Sequence, residues 1–488
     1  MVTSGHLPKG LALLRAKVAS SILRVLRIEG SSMIKITKFG GSSVSSAGQF
    51  KKVKAIVQAD PSRRFVVVSA AGKRDKFDSK ITDLLYLVNA HLQYHVTCDD
   101  LLGTIGQRFC EIAKELNLSY PISHEFGIFR ELAKRGEYTP EYIVSRGEYF
   151  TGRMMAEYLG FPFVDAADVI TFRPDSSIDM DKTSEKLKAA IGEEKCFVLP
   201  GFYGATEDGK IKLLDRGGGD ITGAIVAQCL GADLYENWTD VSGFLTADPR
   251  IVDNPKSISR ITYAELRELS YMGASVLHEE AIFPVKDAGI PLVIKNTNAP
   301  DDPGTVISEE TEPGVAEPLI TGIAGKKDFV AIHVKTNHMS SKVGYIRKTL
   351  SIFERYRVSI EHIPTGIDSF AVVVQGSDVK DCMYSIVADI KSELEPDEIK
   401  IVDRLALIST VGRNMPSRPG TSGRLFGELG HAGINIRMIA QGSEELDIVV
   451  GVDADDFERA IRVIYGAFVD SDDNIITVEE AEEEATNE

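Results

Sequence analysis

The chain has 488 residues, 43% hydrophobic and 26% charged, which suits two or three folded domains with sizeable cores. Its formal net charge of −17 excludes a broad nucleic-acid footprint, while leaving room for local cations that hold a phosphate. No apolar run approaches the roughly 18 residues that span a bilayer, and the five cysteines are scattered without a CxxC pair, so no membrane span, disulfide framework or zinc site is expected and a reducing cytoplasm is.

Residues 1–32 form a distinct extension, with Lys9, Arg15, Lys17, Arg24 and Arg27 but no acid before Glu29. An Arg-rich targeting segment is one reading. A mis-set start or cloning-derived residues are the others, because Met33 opens the strand-like run MIKIT and would serve as an initiator. Across 33–308, apolar runs (IKIT, FVVVSA, CFVLPG, DLYENW, PLVIKN) alternate with helix-period stretches. That alternation predicts parallel βαβ units, an α/β sheet with helices on both faces. Residues 309–321, rich in Pro, Gly and Glu, read as a linker.

Beyond the linker the pattern shrinks and repeats. DFVAIHVK, a helix over VGYIRKTLSIFERYR, VSIEHIP, SFAVVVQG, a helix over VKDCMYSIVADIKSEL and EIKIV make one βαββαβ unit over 322–402. LALISTVG, RLFGELGHAG, NIRMIAQ, ELDIVVGV and DDFERAIRVIY repeat the order over 403–475. Two tandem ferredoxin-like units are expected, because each half repeats the same order of elements. Residues 476–488 read as an acidic, disordered tail.

Four segments carry candidate chemistry. KFGGSSV follows the first strand: Lys38 offers a point charge, Gly40 and Gly41 let backbone N–H groups face an anion, and Ser42 or Ser43 would cap the next helix. Taken alone, it reads better as a glycine turn with a solvated lysine, and it matches neither a Walker A loop nor GxGxxG. In LLDRGGGDITGAIVA, Arg216 precedes Gly217, Gly218 and Gly219, a nest of donors, and Asp220 leads into a helix. ENWTDVSGFLTADPR brings Thr239 and Asp240 to a strand's carboxyl end, where open α/β sheets bind ligands, although TDxxG is also an ordinary turn. IVSRGEYFTG places Arg146 and Glu148 just before a helix, where Glu148 either meets a ligand ammonium or caps the helix.

Taken together and in register, KFGGSSV, SRGEYFTG, PGFYG, LDRGGGD, WTDVSGFLTADPR and GASVLHEEA, closed by KNTNAPDDPGT, resemble the aspartate kinases of the amino acid kinase superfamily. The likeness runs from Met33 to about residue 475, and the tandem βαββαβ units resemble that family's paired ACT domains. It implies an ATP- and Mg2+-dependent phosphorylation of the β-carboxylate of L-aspartate, the first step toward lysine, threonine and methionine. Feedback by lysine or threonine, and a homodimer or tetramer formed through the ACT domains, are implied with it. Matched by position, Lys38, Phe39, Gly40, Gly41, Thr239, Asp240 and Arg250 would serve ATP, with Lys38 and Asp220 catalytic. Ser69, Thr82, Glu148, Phe202, Arg216 and the glycines 217–219 would serve aspartate, with Glu148 on the ammonium and Arg216 on the α-carboxylate. The magnesium would be carried by ATP, without a protein cage of its own.

Departures from the family pattern are Gly219 in place of a serine, Leu245 in place of a tyrosine near the adenine, and Ser275 in place of a phosphate-neutralising lysine, for which Lys295 is the expected substitute. Ser275 and the phrase EHIPTGIDS resemble a lysine- or threonine-responsive subgroup of Gram-positive isozymes. The effector positions would be Met339, Gly344, Ile346, Ser359, Ile360 and Glu361, while Gly366 and Ile367 depart from the usual polar pair. Rival readings are another amino acid kinase, and a catalytically weak amino-acid sensor in which Ser275 marks decay. The length is expected to leave no room for a fused dehydrogenase.

Overall fold

The computed structural model describes residues 33–470 except 193–194, 216, 275–276, 278–282, 310–317 and 417. The expected N-terminal extension, acidic tail and most of the linker therefore lie outside the described residues, as do Arg216 and Ser275. Two units result, Met1–Asp240 with Glu280–Asp301 and Val241–Glu279 with Asp302–Glu488. The stretch 241–279, read from sequence as part of the first domain, thus groups with the second unit.

The first unit is built on parallel strands β1 (Lys35–Phe39), β2 (Phe65–Val68), β3 (Phe197–Pro200), β4 (Leu234–Thr239) and β5 (Leu292–Asn296). They lie side by side in the order β3-β2-β1-β4-β5. Runs such as FVVV and FVLP are buried at every position, as a sheet covered on both faces requires. Around it pack α1 (Ala47–Ala59), α2 (Ile81–Gln93), α3 (Asp99–Glu115), α4 (Ile122–Lys134), α5 (Pro140–Leu159) and α6 (Gly218–Leu230).

Helix α1 buries Phe50, Val53, Ile56 and Val57 at helical spacing, and its N-cap is Ser46, which accepts from the Gln49 N–H. Ser42 and Ser43 instead sit in a short 3-10 turn, Gly41–Val44, because the chain needs these residues to leave the strand before the helix begins. Helix α5 opens on the Thr139 cap with Pro140 in its first turn and closes on Gly160 at φ 77°. Chain order steps from β1 to β2 on one side and later to β4 on the other. The switch between β1 and β4 opens a crevice at their carboxyl ends, where this architecture binds ligands.

In the second unit, Thr262 and Glu265 form a capping box that starts α7 (Tyr263–Tyr271). Beyond it lies one antiparallel sheet of β6 (Gly322–Lys335), β7 (Ser369–Gln375), β8 (Glu398–Val411), β9 (Met438–Gln441) and β10 (Asp447–Asp453), ordered β7-β6-β8-β10-β9. Helices α8 (Tyr345–Arg355) and α9 (Met383–Leu394) cover one core, α10 (Thr421–His431) and α11 (Phe457–Phe468) the other.

The two repeats are interleaved. EIKIV and LALISTVG, expected as separate strands, are one strand of 14 residues, and Gly322–Lys326 of β6 pairs with Leu407–Val411 of the second repeat. The expected strand VSIEHIP is not regular: it makes isolated bridges such as His362 to Val373, since Pro364 has no N–H to extend a ladder.

Candidate active site

At the β1–β4 switch a cavity of about 1160 Å³ opens, with Lys38, Gly40 and Gly41 from β1 and its turn, and Thr239 and Asp240 from the end of β4. Ser69 borders it from the β2–α2 connection, Thr82 from the first turn of α2, Glu148 from α5, and Phe202 and Gly217 to Asp220 from the loop and first turn of α6. Of the residues singled out by sequence in this unit, Phe39 stands behind the wall: it is fully buried and stacked on Trp238 at 6.0 Å between ring centroids.

The glycines are dictated by space. The Gly40 N–H donates to the Trp238 carbonyl at 2.9 Å and the Gly72 N–H to the Gly41 carbonyl at 2.8 Å, which locks two loops back to back. Gly217 precedes α6 at φ 85°, a left-handed conformation natural to glycine. A Cβ on Gly219 would stand 2.7 Å from the Ser69 hydroxyl oxygen, so the space beyond Gly219 is already taken. Phe202 holds φ 77° without being glycine; its N–H is tied to the Thr222 hydroxyl at 2.9 Å, and such strain at a cavity wall is held by its surroundings.

Lys38 is 6% exposed and forms an ion pair with Asp220. Its ammonium also reaches the Asn237 carbonyl oxygen at 3.5 Å, and the Asn237 amide donates to Asp220 at 2.9 Å. A buried ammonium, turned N–H groups and the N-terminus of a 13-residue helix suit an anion such as a phosphate.

Glu148 lies well inside the 20-residue helix α5 rather than before it, so the capping reading fails. Burial pushes its carboxyl up to about 8, partly offset by the Ala70 backbone and the Thr82 hydroxyl. Its Oε2 is buried without a hydrogen-bond partner. The charge of Arg146 also favours the ionised form, as the smallest cause, but Arg146 forms no ion pair with Glu148: that guanidinium lies over the rings of Tyr142 and Tyr149, at 4.2 and 4.3 Å. A buried acid with an unmatched oxygen facing a cavity suits a ligand ammonium.

Other positions fall elsewhere. Arg250 is not a lining residue of the cavity; its side chain is 86% exposed and grips Asp248. Leu245 borders a separate hollow with Pro249, Asp253 and Pro255. Lys295 pairs in register with Trp238, and its ammonium stands 5.6 Å over that ring. Lys38 pairs with Asn237, so strand alternation puts Lys295 on the opposite face of the sheet and it cannot stand in at the cavity. Sequence reasoning passed over Lys73, Lys80, Tyr86 and Asn237. The signal for the lysines was a cation-rich stretch, GKRDKFDSK, directly after the buried strand FVVV.

In the second unit a cavity of about 480 Å³ gathers Met339, Gly344 and Ile346 with Lys342, Thr365 and Ile367. Ser359, Ile360 and Glu361 do not line it; Glu361 instead accepts a 2.6 Å hydrogen bond from the Tyr271 hydroxyl.

Residues 33–296 match the model of the amino acid kinase family, and residues 408–468 match an ACT domain. The chain is 35% identical over 449 residues to aspartokinase 3 of Bacillus subtilis, covering 89% of this chain and 98% of that one. It superposes on the crystal structure of Clostridium acetobutylicum aspartate kinase with a TM-score of 0.84 and 47% identity, over 90% of this chain and all of that one. Escherichia coli aspartokinase III, crystallised with aspartate and ADP in the R-state, matches with a TM-score of 0.68 and 25% identity over 89% and 99% of the two chains. With a cavity made for an anion beside a buried acid, a parallel sheet of this order and likeness along nearly the whole described length, the chain belongs to the aspartokinases of the amino acid kinase family.

Proposed function

We propose that this chain transfers the γ-phosphoryl group of ATP to the β-carboxylate of L-aspartate, forming 4-phospho-L-aspartate. The observation that carries the reading is the pairing, in one cavity, of the Lys38–Asp220 ion pair on a glycine loop with the unpartnered Oε2 of Glu148. The substrate carboxylate is already a nucleophile, so the site needs no strong base; alignment and charge neutralisation do the work.

In this reading Lys38 faces the transferring phosphoryl group while Asp220 and Asn237 fix its position. Gly40, Gly41 and the start of α6 offer N–H groups to the phosphate oxygens, and Thr239 and Asp240 border the nucleotide. Glu148, ionised, takes the aspartate ammonium, with Ser69, Thr82 and Phe202 shaping the pocket; Arg216, by resemblance, takes the α-carboxylate. Asp220 and Asp240 are oxygen donors suited to a hard cation, and would meet Mg2+ brought in on the nucleotide, which neutralises phosphate charge when bound.

The ACT half is proposed to sense lysine or threonine at an interface between two copies of the chain, in a homodimer or tetramer, with Glu361, outside the cavity of Met339 and Gly344, meeting the effector ammonium. No helix among the described residues is long and apolar enough to cross a membrane, and we place the enzyme in the cytoplasm. The test is aspartyl hydroxamate formation with MgATP and L-aspartate, against L-glutamate and carbamate, with and without each effector. ATP turnover that ignores L-aspartate would overturn the reading.

A further inference from the structure

Among the described residues lining the active cavity, the carboxylates are Asp83, Glu148, Asp215, Asp220 and Asp240, and the cations are Lys38, Lys73 and Lys80. Lys38 is already committed to Asp220. A polyphosphate entering that wall meets an excess of negative charge unless further cations face it. Lys73 and Lys80 are exposed, and among the described residues neither ammonium has a hydrogen-bond or ion-pair partner.

The turn that carries Lys73 is irregular, yet it is fixed. Its first residue, Gly72, is bonded to Gly41 of the glycine loop at 2.8 Å. From the other side, Arg108 of α3 donates to the Gly72 carbonyl and, at 2.6 Å, to the Ser79 carbonyl, clamping both ends of the turn. Arg108 is 3% exposed, and a guanidinium is desolvated at considerable cost unless its donors are used. The next residue, Arg74, is drawn outward to Asp78 at 2.9 Å and Glu111 at 3.3 Å. The result is one outward cation held by acids, and one cation, Lys73, left free on the cavity side directly beside the glycine loop.

We propose that Lys73 is a second phosphate-facing catalytic cation, presented over the glycine loop by a turn that Arg108 braces. The inference rests on the kinase reading above and extends it. Lys73 would meet oxygens of the β- and γ-phosphates as charge shifts between them, so its contribution is greatest in the transition state. Lys80, at the far end of the turn beside Thr82, borders the amino-acid side of the cavity instead.

The experiment compares full-length wild type, Lys73→Ala and Lys73→Arg by initial rates, varying MgATP and L-aspartate separately. Titration calorimetry with MgADP gives nucleotide affinity independently of turnover. Lys73→Ala is expected to lose about 10- to 100-fold in kcat/KM for MgATP with little change in the KM for aspartate, and Lys73→Arg to recover most of it. An alanine variant with kcat and KM for MgATP within about twofold of wild type overturns the proposal. So does a defect confined to the KM for aspartate. Wild type that shows no aspartate-dependent turnover removes the kinase reading and this inference together, whereas an active wild type with an unaffected variant removes only the inference.

Discussion

The side-chain amide of Asn237 donates a 2.9 Å hydrogen bond to the Asp220 carboxylate, the same carboxylate that pairs with Lys38. Asn237 is 4% exposed, and its carbonyl oxygen lies 3.5 Å from the Lys38 ammonium. One side chain therefore touches both members of the ion pair and fixes where the ammonium points. Lys38→Ala should lower kcat by roughly 100-fold or more, with smaller effects on either KM, because its charge matters most as the phosphoryl group moves. Asn237→Ala should lower kcat by about 10-fold, since the cation survives but its position is less fixed. Steady-state kinetics in both substrates checks the pair, and near-normal turnover of Lys38→Ala would mean that another cation carries the charge.

Glu148 gives the enzyme a pH signature. With its carboxyl pushed up to about 8 by burial, the empty site holds it mostly protonated at neutral pH. If the aspartate ammonium meets Glu148, as proposed, it favours the ionised form, and aspartate binding below that value releases a proton. The KM for aspartate should therefore fall as pH rises from about 6 to 8 and level off above. Stability of the empty protein runs the other way. The folded pKa lies above the ordinary 4.5, so between the two values the folded state binds more protons than the unfolded one, and stability is lost as pH climbs through that window. Glu148→Gln should raise the KM for aspartate by one to three orders of magnitude, remove its pH dependence, and raise Tm more at pH 8 than at pH 5. A Glu148→Gln profile that keeps the wild-type slope would assign the titration to another group.

Much of the fold was legible because buried parallel strands are short, continuous apolar runs, as in FVVV and FVLP. Glu148 was misplaced because α5 is buried nearly all round, Ser145, Arg146 and Thr151 included, so no apolar stripe marked the helix through SRGEYFTG. Asp403 and Arg404 read as a break between two strands; in the fold Arg404 bends with φ 55° while the strand continues through it. The cation-rich stretch GKRDKFDSK marks Lys73 as one of several surface cations, but not as part of the site. Only the contact of Gly72 with Gly41, 31 positions apart in the numbering, shows that the turn belongs to the site.

That contact makes a backbone prediction. A Cβ on Gly72 would stand 2.5 Å from the Gly41 carbonyl carbon and 2.7 Å from its oxygen, too close for either loop to stay in place. Gly72→Ala should therefore depress kcat/KM for MgATP by about 10-fold or more while circular dichroism stays native. Gly103→Ala, on α3 with open space around it, is the control and should leave the kinetics unchanged. Equal kinetics for both variants would show that the two loops adjust freely.

Regulation can be tested at Tyr271, the last residue of α7, whose hydroxyl donates a 2.6 Å hydrogen bond to Glu361. Burial, the hydrogen bond and the charge of Glu361 push the phenol up to about 12, so it remains a donor at neutral pH. The Lys326 ammonium sits 5.3 Å over the same ring. If Glu361 takes the ammonium of an inhibitory amino acid, the effector must compete with the Tyr271 hydroxyl for the same carboxylate, and every bound effector loosens the end of α7. Binding and loosening are then linked, and the linkage is reciprocal. Tyr271→Phe removes the competitor and leaves the ring in place, so it should lower the concentration of lysine or threonine that halves activity by about 3- to 10-fold, the net worth of one ordinary, solvent-accessible hydrogen bond. Glu361→Ala should raise that concentration by a larger factor, because the ammonium loses its partner. Inhibition curves at fixed aspartate for the three proteins decide the matter: shifts in opposite directions support the competition, and a shift of both variants in the same direction shows that Tyr271 helps to build the effector site instead of opposing it.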